Sequence, residues 1–230
     1  MSGRLILVRH GQTEANVERR LDTRLPGARL TELGRTQALS LGTRLAARPP
    51  TALVSSQALR ARETAGFVET ESGIALQVRA GLHEAQAGEL EDRSDLESHK
   101  MFAKVFHTWH TGDLSARIPG GESGHDLVER YVPVIDSLRE EYLTDPGMGG
   151  DVVVVSHGAA IRLVGAYLAG VPGAFAADRH LENTSTVELV PTDEGWRCVR
   201  WGTYDPPFDA TPQRPWFEPE AAGATDDPMG

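Results

Sequence analysis

The chain has 230 residues, of which 40% are hydrophobic, so it is long enough to close one sizeable core. Its 23 Lys and Arg face 33 Asp and Glu, and the formal net charge of -10 argues against a broad surface for nucleic acid or for anionic membranes. A single cysteine, Cys198, excludes an intrachain disulfide and a cysteine-rich zinc site. The start lacks the pattern of a signal peptide and no apolar run has membrane length, so we expect a cytoplasmic protein.

Short apolar runs alternate along the chain with longer segments of helical spacing. We predict strands at 5–10, 52–56, 75–79, 151–157 and 184–190, and a last paired strand within 196–204. The run "DVVVVSH" is typical of a strand covered by helices on both faces, because its four valines show no polar alternation. Helices are predicted at 30–48, at 58–71, within 94–110, at 122–143 and at 158–169. This order predicts a three-layer α/β/α sandwich with a mostly parallel central sheet.

The first long helix has recognisable ends. In "LTELGRTQALSLGTRLAAR", Thr31 is placed to act as the N-cap, and "RPP" ends the helical pattern. The spacing puts Leu33, Gln37, Leu41 and Leu45 on one stripe, as in an amphipathic helix.

Three predicted strands end in groups that suit an anion. They are Arg9-His10-Gly11 after the first strand, Ser55-Ser56 leading to Arg60 after the second, and Ser156-His157-Gly158 after the valine-rich one. Ligands of open α/β sheets bind outside the carboxyl ends of the strands, so two arginines and two histidines should meet at one rim. Arginine forks hold phosphoryl oxygens, and a histidine can act as nucleophile or donor. Each motif alone is weak, since a histidine at a strand end is usually structural, and the combination carries the prediction.

The sequence disfavours two other kinds of site, a metal site and the active site of a serine hydrolase. His107 and His110 are three residues apart, but no nearby carboxylate pattern supports a metal site, and we expect none. Ser156 precedes His157 without the Gly-x-Ser-x-Gly elbow of a serine hydrolase.

Six segments together resemble the histidine phosphatase superfamily, also called phosphoglycerate mutase-like. They are "LVRHGQTEAN" (7–16), "LTELGRTQA" (30–38), "SSQALRARETA" (55–65), "LHEAQAGELED" (82–92), "PGGES" (119–123) and "VVVVSHGAAIR" (152–162). The resemblance covers about residues 4–190 in the family's own order. The first and last segments are highly specific as a pair.

The resemblance implies a role for each matching residue. His10 matches the nucleophile that becomes a phosphohistidine, and Arg9 and Arg60 match the phosphate clamp. His157 matches the second histidine, which we expect to donate to the phosphoryl oxygens in its protonated form. Glu84 matches the acid that protonates the leaving oxygen, which requires a raised pKa. Attack by His10 requires a neutral ring whose other nitrogen donates to a backbone carbonyl.

Further residues are expected around the phosphate. Asn16 matches another phosphate or substrate contact, and Gly11 and Gly158 should let the backbone approach the anion. Arg20 could reach the substrate, although a surface arginine is the favoured interpretation. Arg62 is interpreted as a solvated helix residue rather than as the clamp.

The resemblance also implies the overall organisation of the chain. Residues 1–204 form one phosphatase-like domain, with an insertion at about 88–125 that folds as a helical cap. The apolar residues of the insertion either contact an organic group or, as we favour, pack in the core; they are Met101, Phe102, Phe106 and Trp109. Residues 205–230, rich in Pro, Ala and acid, are expected to be a largely unstructured tail, and Trp216 and Phe217 there could dock on the domain or on a second subunit.

We therefore expect a metal-independent phosphomonoesterase of the histidine acid phosphatase type. Its expected substrate is a small phosphorylated metabolite, its product is inorganic phosphate, and it needs no cofactor. The sequence does not decide whether the chain forms a homodimer. A cofactor-dependent phosphoglycerate mutase is the alternative, but Ala15 replaces the expected aromatic residue and the insertion carries only the scattered basic residues Lys100, Lys104 and Arg117. A non-catalytic protein that binds phosphorylated ligands is disfavoured, because His10, Arg60, Glu84 and His157 are all present.

Overall fold

A six-stranded sheet lies between two layers of helices in the computed structural model, which describes residues 3–144 and 149–209. The strands are β1 (Leu5–Arg9), β2 (Ala52–Ser55), β3 (Leu76–Val78), β4 (Val152–Ser156), β5 (Thr186–Thr192) and β6 (Gly195–Trp201). The α-helices are α1 (Glu14–Val17), α2 (Glu32–Ala46), α3 (Leu59–Ser72), α4 (Leu96–His110), α5 (Gly124–Tyr142), α6 (Gly158–Ala169) and α7 (Gly173–Asp178). All the predicted strands and long helices are present; within the described ranges, the sequence did not predict the short α1 and α7 or a 3-10 helix at Gly88–Leu90.

The sheet is mostly parallel, as predicted. Its strand order is β3-β2-β4-β1-β5-β6. The first four strands in this order pair in parallel, whereas β5 pairs antiparallel with both of its neighbours, β1 and β6. In the pairing of β1 with β4, Arg9 lies opposite Ser156. The residues that follow these two strands, His10 and His157, therefore emerge side by side at one edge of the sheet.

Strand alternation divides the core into two clusters, one on each face of the sheet. Ile6 and Val8 of β1 pack with the inner faces of α2 and α3, whereas Leu5 and Leu7 point to the other face. The second cluster is the larger and includes residues from α4, α5, α6 and α7. Within the described ranges, no helix is both long and apolar enough to cross a membrane.

The predicted stripe of α2 is wrong at its first position. Leu33 is 52% exposed, and the buried face of the helix is formed by Gly34, Ala38, Leu41 and Gly42. Gly42 has no side chain because α2 packs closely on α3 there: a Cβ on Gly42 would lie 2.8 Å from the carbonyl oxygen of Phe67. The spacing of large apolar residues did not predict this face, because small residues that let the two helices approach closely form most of it. The predicted N-cap is correct, since the Thr31 hydroxyl accepts from the Gly34 N–H at 3.0 Å.

The aromatic residues of the insertion belong to the core. Phe102, Phe106 and Trp109 of α4 are at most 6% exposed, and their rings pack in sequence at 6.4 and 6.1 Å between centroids. Met101 is 39% exposed. The interpretation of these rings as packing residues, rather than as contacts for an organic group, is confirmed for the three that are buried.

The first residues of the predicted tail are docked on the domain. Phe208 packs on Phe175 of α7 at 5.1 Å between ring centroids, and Tyr204 packs on the same ring at 5.6 Å. Residues 210–230, with Trp216 and Phe217, lie outside the described residues. The domain boundaries and the cap stay predictions.

Two leucines of α2 test the assignment of its buried face. Leu41→Ala removes a fully buried side chain and should lower the free energy of unfolding by about 2–5 kcal/mol, measured by urea denaturation. Leu33→Ala is the matched control on the exposed face and should change it by no more than about 0.5 kcal/mol. A larger loss from Leu33→Ala than from Leu41→Ala would contradict the packing of this helix.

Candidate active site

His10 lies directly after β1 with its ring in the form that a nucleophile requires. Its Nδ1 is 2.7 Å from the carbonyl oxygen of Gly11, so Nδ1 carries the hydrogen and Nε2 the lone pair. Burial, and after it the charges of Arg60 and Arg9, hold the pKa of His10 well below 6.5. The ring is therefore neutral near pH 7.

Two buried guanidinium groups give the surroundings of His10 a positive potential. Arg60 of α3 donates from Nε to His10 Nε2 at 3.1 Å, and its Nη2 donates to the carbonyl oxygen of Asp22 at 3.0 Å. Arg9 donates from Nη1 to the carbonyl oxygen of Leu181 at 2.7 Å. The side chains of Arg9 and Arg60 are 1% and 2% exposed. Because both charges oppose protonation of His10, the same field favours an anion at this position.

His157 lies beside His10, with ring centroids 5.3 Å apart and ring planes at 61°. Its Nε2 is 2.7 Å from the Ser56 hydroxyl, which also accepts from the Ala58 N–H at 3.3 Å. Among the described residues the hydroxyl hydrogen has no other acceptor, so it donates to Nε2, which places the ring hydrogen of His157 on Nδ1. This Nδ1 is buried without a hydrogen-bond partner among the described residues.

The pKa of His157 disfavours the protonated form in which we expected this ring to donate to the phosphoryl oxygens. Burial, followed by the charges of Arg60 and His10, holds the pKa of His157 well below 6.5. The sequence predicted that a second histidine and two arginines meet this ring, but not that the fold would bury it completely. A neutral ring still donates one hydrogen bond, from Nδ1.

Glu84 approaches the two histidines from the loop after β3, and its carboxyl group is fixed by three backbone N–H groups. Oε1 accepts from Ala85 and from Ala160, both at 2.8 Å, and Oε2 accepts from Ala159 at 3.1 Å. Burial raises the pKa of Glu84, and these N–H groups and Arg60 only partly oppose it. Oε1 already accepts two hydrogen bonds, so the proton of the neutral acid belongs on Oε2.

Asn16 and the two glycines also lie at this edge of the sheet. The Asn183 amide donates to the His10 carbonyl oxygen at 3.0 Å and lies 3.5 Å from Asn16 Oδ1. Gly158 is the first residue of α6 and is buried. Gly11 is required by packing, because a Cβ there would lie 2.6 Å from the carbonyl oxygen of Gly34.

Arg20 is held at the surface by acidic side chains. Its guanidinium donates to Glu18 at 3.0 Å and to Asp92 at 2.7 Å, and the side chain is 31% exposed. This favours the surface interpretation over a substrate contact. Arg62 is exposed, as predicted.

A metal site is not assembled from the described residues, in which no three His, Cys, Asp or Glu side chains form a suitable group. His107 is exposed, whereas His110 binds the carbonyl oxygen of Phe106 through Nδ1 at 2.9 Å. Burial lowers the pKa of His110 to about 4. These two histidines are therefore used differently in the fold.

Several residues that position the site were not assigned a role from the sequence. Thr64 accepts from the Gly11 N–H at 3.0 Å, and Asp22 accepts from Arg60 Nη1 at 3.3 Å. Ser56 and Thr64 stand inside the segment "SSQALRARETA", so the motif contained them without showing what they contact. Asp22 and Asn183 belong to none of the motifs, because their contacts with Arg60 and His10 depend on how two loops fold onto the site.

A family model described as the histidine phosphatase superfamily, branch 1, matches residues 5–203. The chain belongs to the histidine phosphatase superfamily. A glucosyl-3-phosphoglycerate phosphatase of Mycobacterium tuberculosis is 32% identical to this family member over 209 residues, which cover 86% of this chain and 91% of the relative. A probable phosphoglycerate mutase of Shigella boydii is 30% identical over 198 residues, which cover 85% of this chain and 88% of the relative.

A solved structure of mycobacterial glucosyl-3-phosphoglycerate phosphatase in complex with VO3 has the same fold as this histidine phosphatase. The TM-score is 0.75 at 29% identity, and the match covers 88% of this chain and all of the other. These comparisons confirm the family, the α/β fold and the phosphatase activity predicted from the sequence.

The serine next to His157 generates a prediction about the tautomer of that ring. Ser56→Ala removes the donor to Nε2, so the His157 hydrogen should distribute between the two nitrogens. Nitrogen chemical shifts of the ring in an NMR spectrum should show a single Nδ1–H form in the wild type and a mixture in the variant. An Nε2–H form in the wild type would contradict the assignment.

Proposed function

We propose that the chain is a metal-independent phosphomonoesterase of the histidine acid phosphatase type, acting through a phosphohistidine at His10. The observation that carries the proposal is the His10 ring, which is neutral, has its lone pair on Nε2 and lies in a field made positive by Arg9 and Arg60. A dianionic phosphate ester is attracted to such a field, and the lone pair is the group that can attack its phosphorus.

In the first step, His10 Nε2 attacks phosphorus and the bond from phosphorus to the ester oxygen breaks. The hydrogen bond from Arg60 Nε to His10 Nε2 must then be exchanged for one to a phosphoryl oxygen, which frees the lone pair as the substrate binds. Arg9, Arg60 and the Nδ1–H of His157 stabilise the equatorial oxygens. The leaving oxygen takes the proton from Glu84 Oε2.

In the second step, water attacks the phosphohistidine and gives its proton to the Glu84 carboxylate. The bond from phosphorus to Nε2 breaks, inorganic phosphate leaves, and Glu84 is again a neutral acid. Glu84 thus serves once as acid and once as base, and burial in the pocket suits it to both steps by bringing its pKa nearer to the working pH.

The substrate class is a small phosphorylated metabolite. The mycobacterial relatives are named as phosphatases of a glucosyl ester of phosphoglycerate, which is one such metabolite. We extend this class of substrate to the chain. Cytoplasmic location and a homodimer stay predictions.

The pH dependence of kcat/KM should be bell-shaped, because the first step needs a neutral His10 and a protonated Glu84. On the acid side, the enzyme's own contribution to the loss of activity should appear only as pH drops through the lowered pKa of His10, which lies well below 6.5. It should fall on the basic side as pH rises through the pKa of Glu84, which burial raises above 4.5. Glu84→Gln should lower kcat/KM by about a hundred- to ten-thousand-fold and remove the basic limb.

The substrate's own second phosphate ionisation, near about pH 6, is common to the wild type and to Glu84→Gln, so the difference between the profiles isolates Glu84. A basic limb that persists unchanged in Glu84→Gln would assign the proton to another group.

His10→Ala should abolish turnover, because it removes the Nε2 lone pair that accepts the phosphoryl group. Phosphate release would be measured in chelator on a panel of sugar, glycerate and glucosylglycerate phosphates, together with p-nitrophenyl phosphate. Radiolabelled substrate should leave an acid-labile label on the wild type and none on His10→Ala. Turnover by His10→Ala, or a label at another residue, would reject the mechanism.

The same panel separates the alternative functions. Transfer of phosphate between positions of a glycerate, with little release to water, would indicate a mutase. Phosphate binding without release from any ester would indicate a protein that binds phosphorylated ligands.

A further inference from the structure

The loop that carries Glu84 has no regular secondary structure of its own between β3 and the 3-10 helix at Gly88–Leu90. Its position must therefore come from contacts outside the loop. The Glu84 carboxyl group is held by the start of α6, but a fixed carboxyl group also requires a fixed backbone.

Arg130 of α5 supplies that backbone restraint. Its Nη1 donates to the carbonyl oxygens of Gly81 at 2.7 Å and of His83 at 2.8 Å, and its Nη2 donates to that of Glu84 at 2.9 Å. The loop also lies directly on the helix, because a Cβ on Gly81 would be 2.5 Å from the Arg130 carbonyl oxygen. One guanidinium thus ties three carbonyls of the loop, including that of Glu84 itself.

Glu122 orients this guanidinium and holds the loop on the other side of Glu84. Its carboxylate accepts from Arg130 Nε at 2.7 Å and from Nη2 at 2.8 Å, a bidentate pair. The same carboxylate accepts from the Gln86 N–H at 3.0 Å, and the Glu122 N–H donates to the Gln86 carbonyl oxygen at 3.1 Å. The side chains of Arg130 and Glu122 are each only 16% exposed.

The opposite charges of the pair matter for the acid they support. A lone guanidinium beside Glu84 would favour the carboxylate and so work against a proton donor. With Glu122 bound to it, Arg130 restrains the backbone while adding little net charge.

We propose that Arg130 and Glu122 are a positioning pair that holds Glu84 Oε2 where it can protonate the leaving oxygen. The proposal rests on the proposed function and deepens it. A displacement of the loop by about 1 Å would cost up to about a hundred-fold in rate, because proton transfer requires hydrogen-bond distance to the leaving oxygen.

The dependence of rate on the leaving group distinguishes positioning from general stability. An aliphatic phosphate ester needs a proton on its leaving oxygen, whereas dinitrophenyl phosphate releases a stable phenolate without one. In Arg130→Gln and Glu122→Gln, the ratio of kcat/KM for the aliphatic ester to that for dinitrophenyl phosphate should fall by about ten- to a hundred-fold. We choose kcat/KM because it reports the step in which the leaving group departs.

Arg139→Gln is the matched control. Arg139 lies on the same helix and also ties two backbone carbonyls, those of Gly195 at 3.0 Å and Thr192 at 2.7 Å, but these lie at the start of β6 and the end of β5. Its removal should leave the ratio unchanged. Should Arg130→Gln not fold, Arg130→Lys and Glu122→Gln, which keep a donor or an acceptor in place, answer the question through the same ratio.

Equal losses on both esters in the Arg130 and Glu122 variants would overturn the proposal and assign the pair to stability alone. The proposed function fails in a different way. If Glu84→Gln itself leaves the ratio unchanged, Glu84 is not the acid, whereas a ratio that falls in Glu84→Gln but not in the variants of the pair rejects only the positioning role.

Discussion

The parallel pairing of β1 with β4 is the constraint on which the candidate site depends. Arg9 lies opposite Ser156 in this register, so the residues that follow the two strands place their imidazoles 5.3 Å apart. A slip of one residue would turn the side chains of β1 to the opposite face of the sheet and exchange the two core clusters. The register of the apolar residues within the sheet therefore also sets the geometry of the polar ones at its edge.

Around these two rings, burial rather than ion pairing determines the protonation states. It lowers the pKa of both histidines and raises that of Glu84, so near neutral pH the pocket holds two neutral imidazoles beside guanidinium charges. The tautomer of each neutral ring is then set by one hydrogen bond, from His10 Nδ1 to the Gly11 carbonyl and from the Ser56 hydroxyl to His157 Nε2. This leaves one ring with a lone pair and the other with a donor, which is the combination that phosphoryl transfer to histidine requires.

The sequence predicted what depends on strand order and motif, and it missed what depends on how loops close. The four consecutive valines and the motifs after β1 and β4 were sufficient to predict the sheet and the meeting of His10 with His157. Ser56, Asn183, Arg130 and Glu122 act on the site through contacts between residues 36 to 173 positions apart, which no local pattern reports. How deeply His157 is buried, and hence that its pKa is lowered, became known only from the packed structure.

A crystal structure of the enzyme with vanadate bound tests the central claim most directly, because vanadate reproduces the five-coordinate phosphorus of the transition state. We expect vanadium bonded to His10 Nε2, its equatorial oxygens within hydrogen-bond distance of Arg9, Arg60 and His157 Nδ1, and Glu84 Oε2 next to the apical oxygen. Vanadate bonded to another residue, or a His157 ring whose Nδ1 points away from the oxyanion, would contradict it.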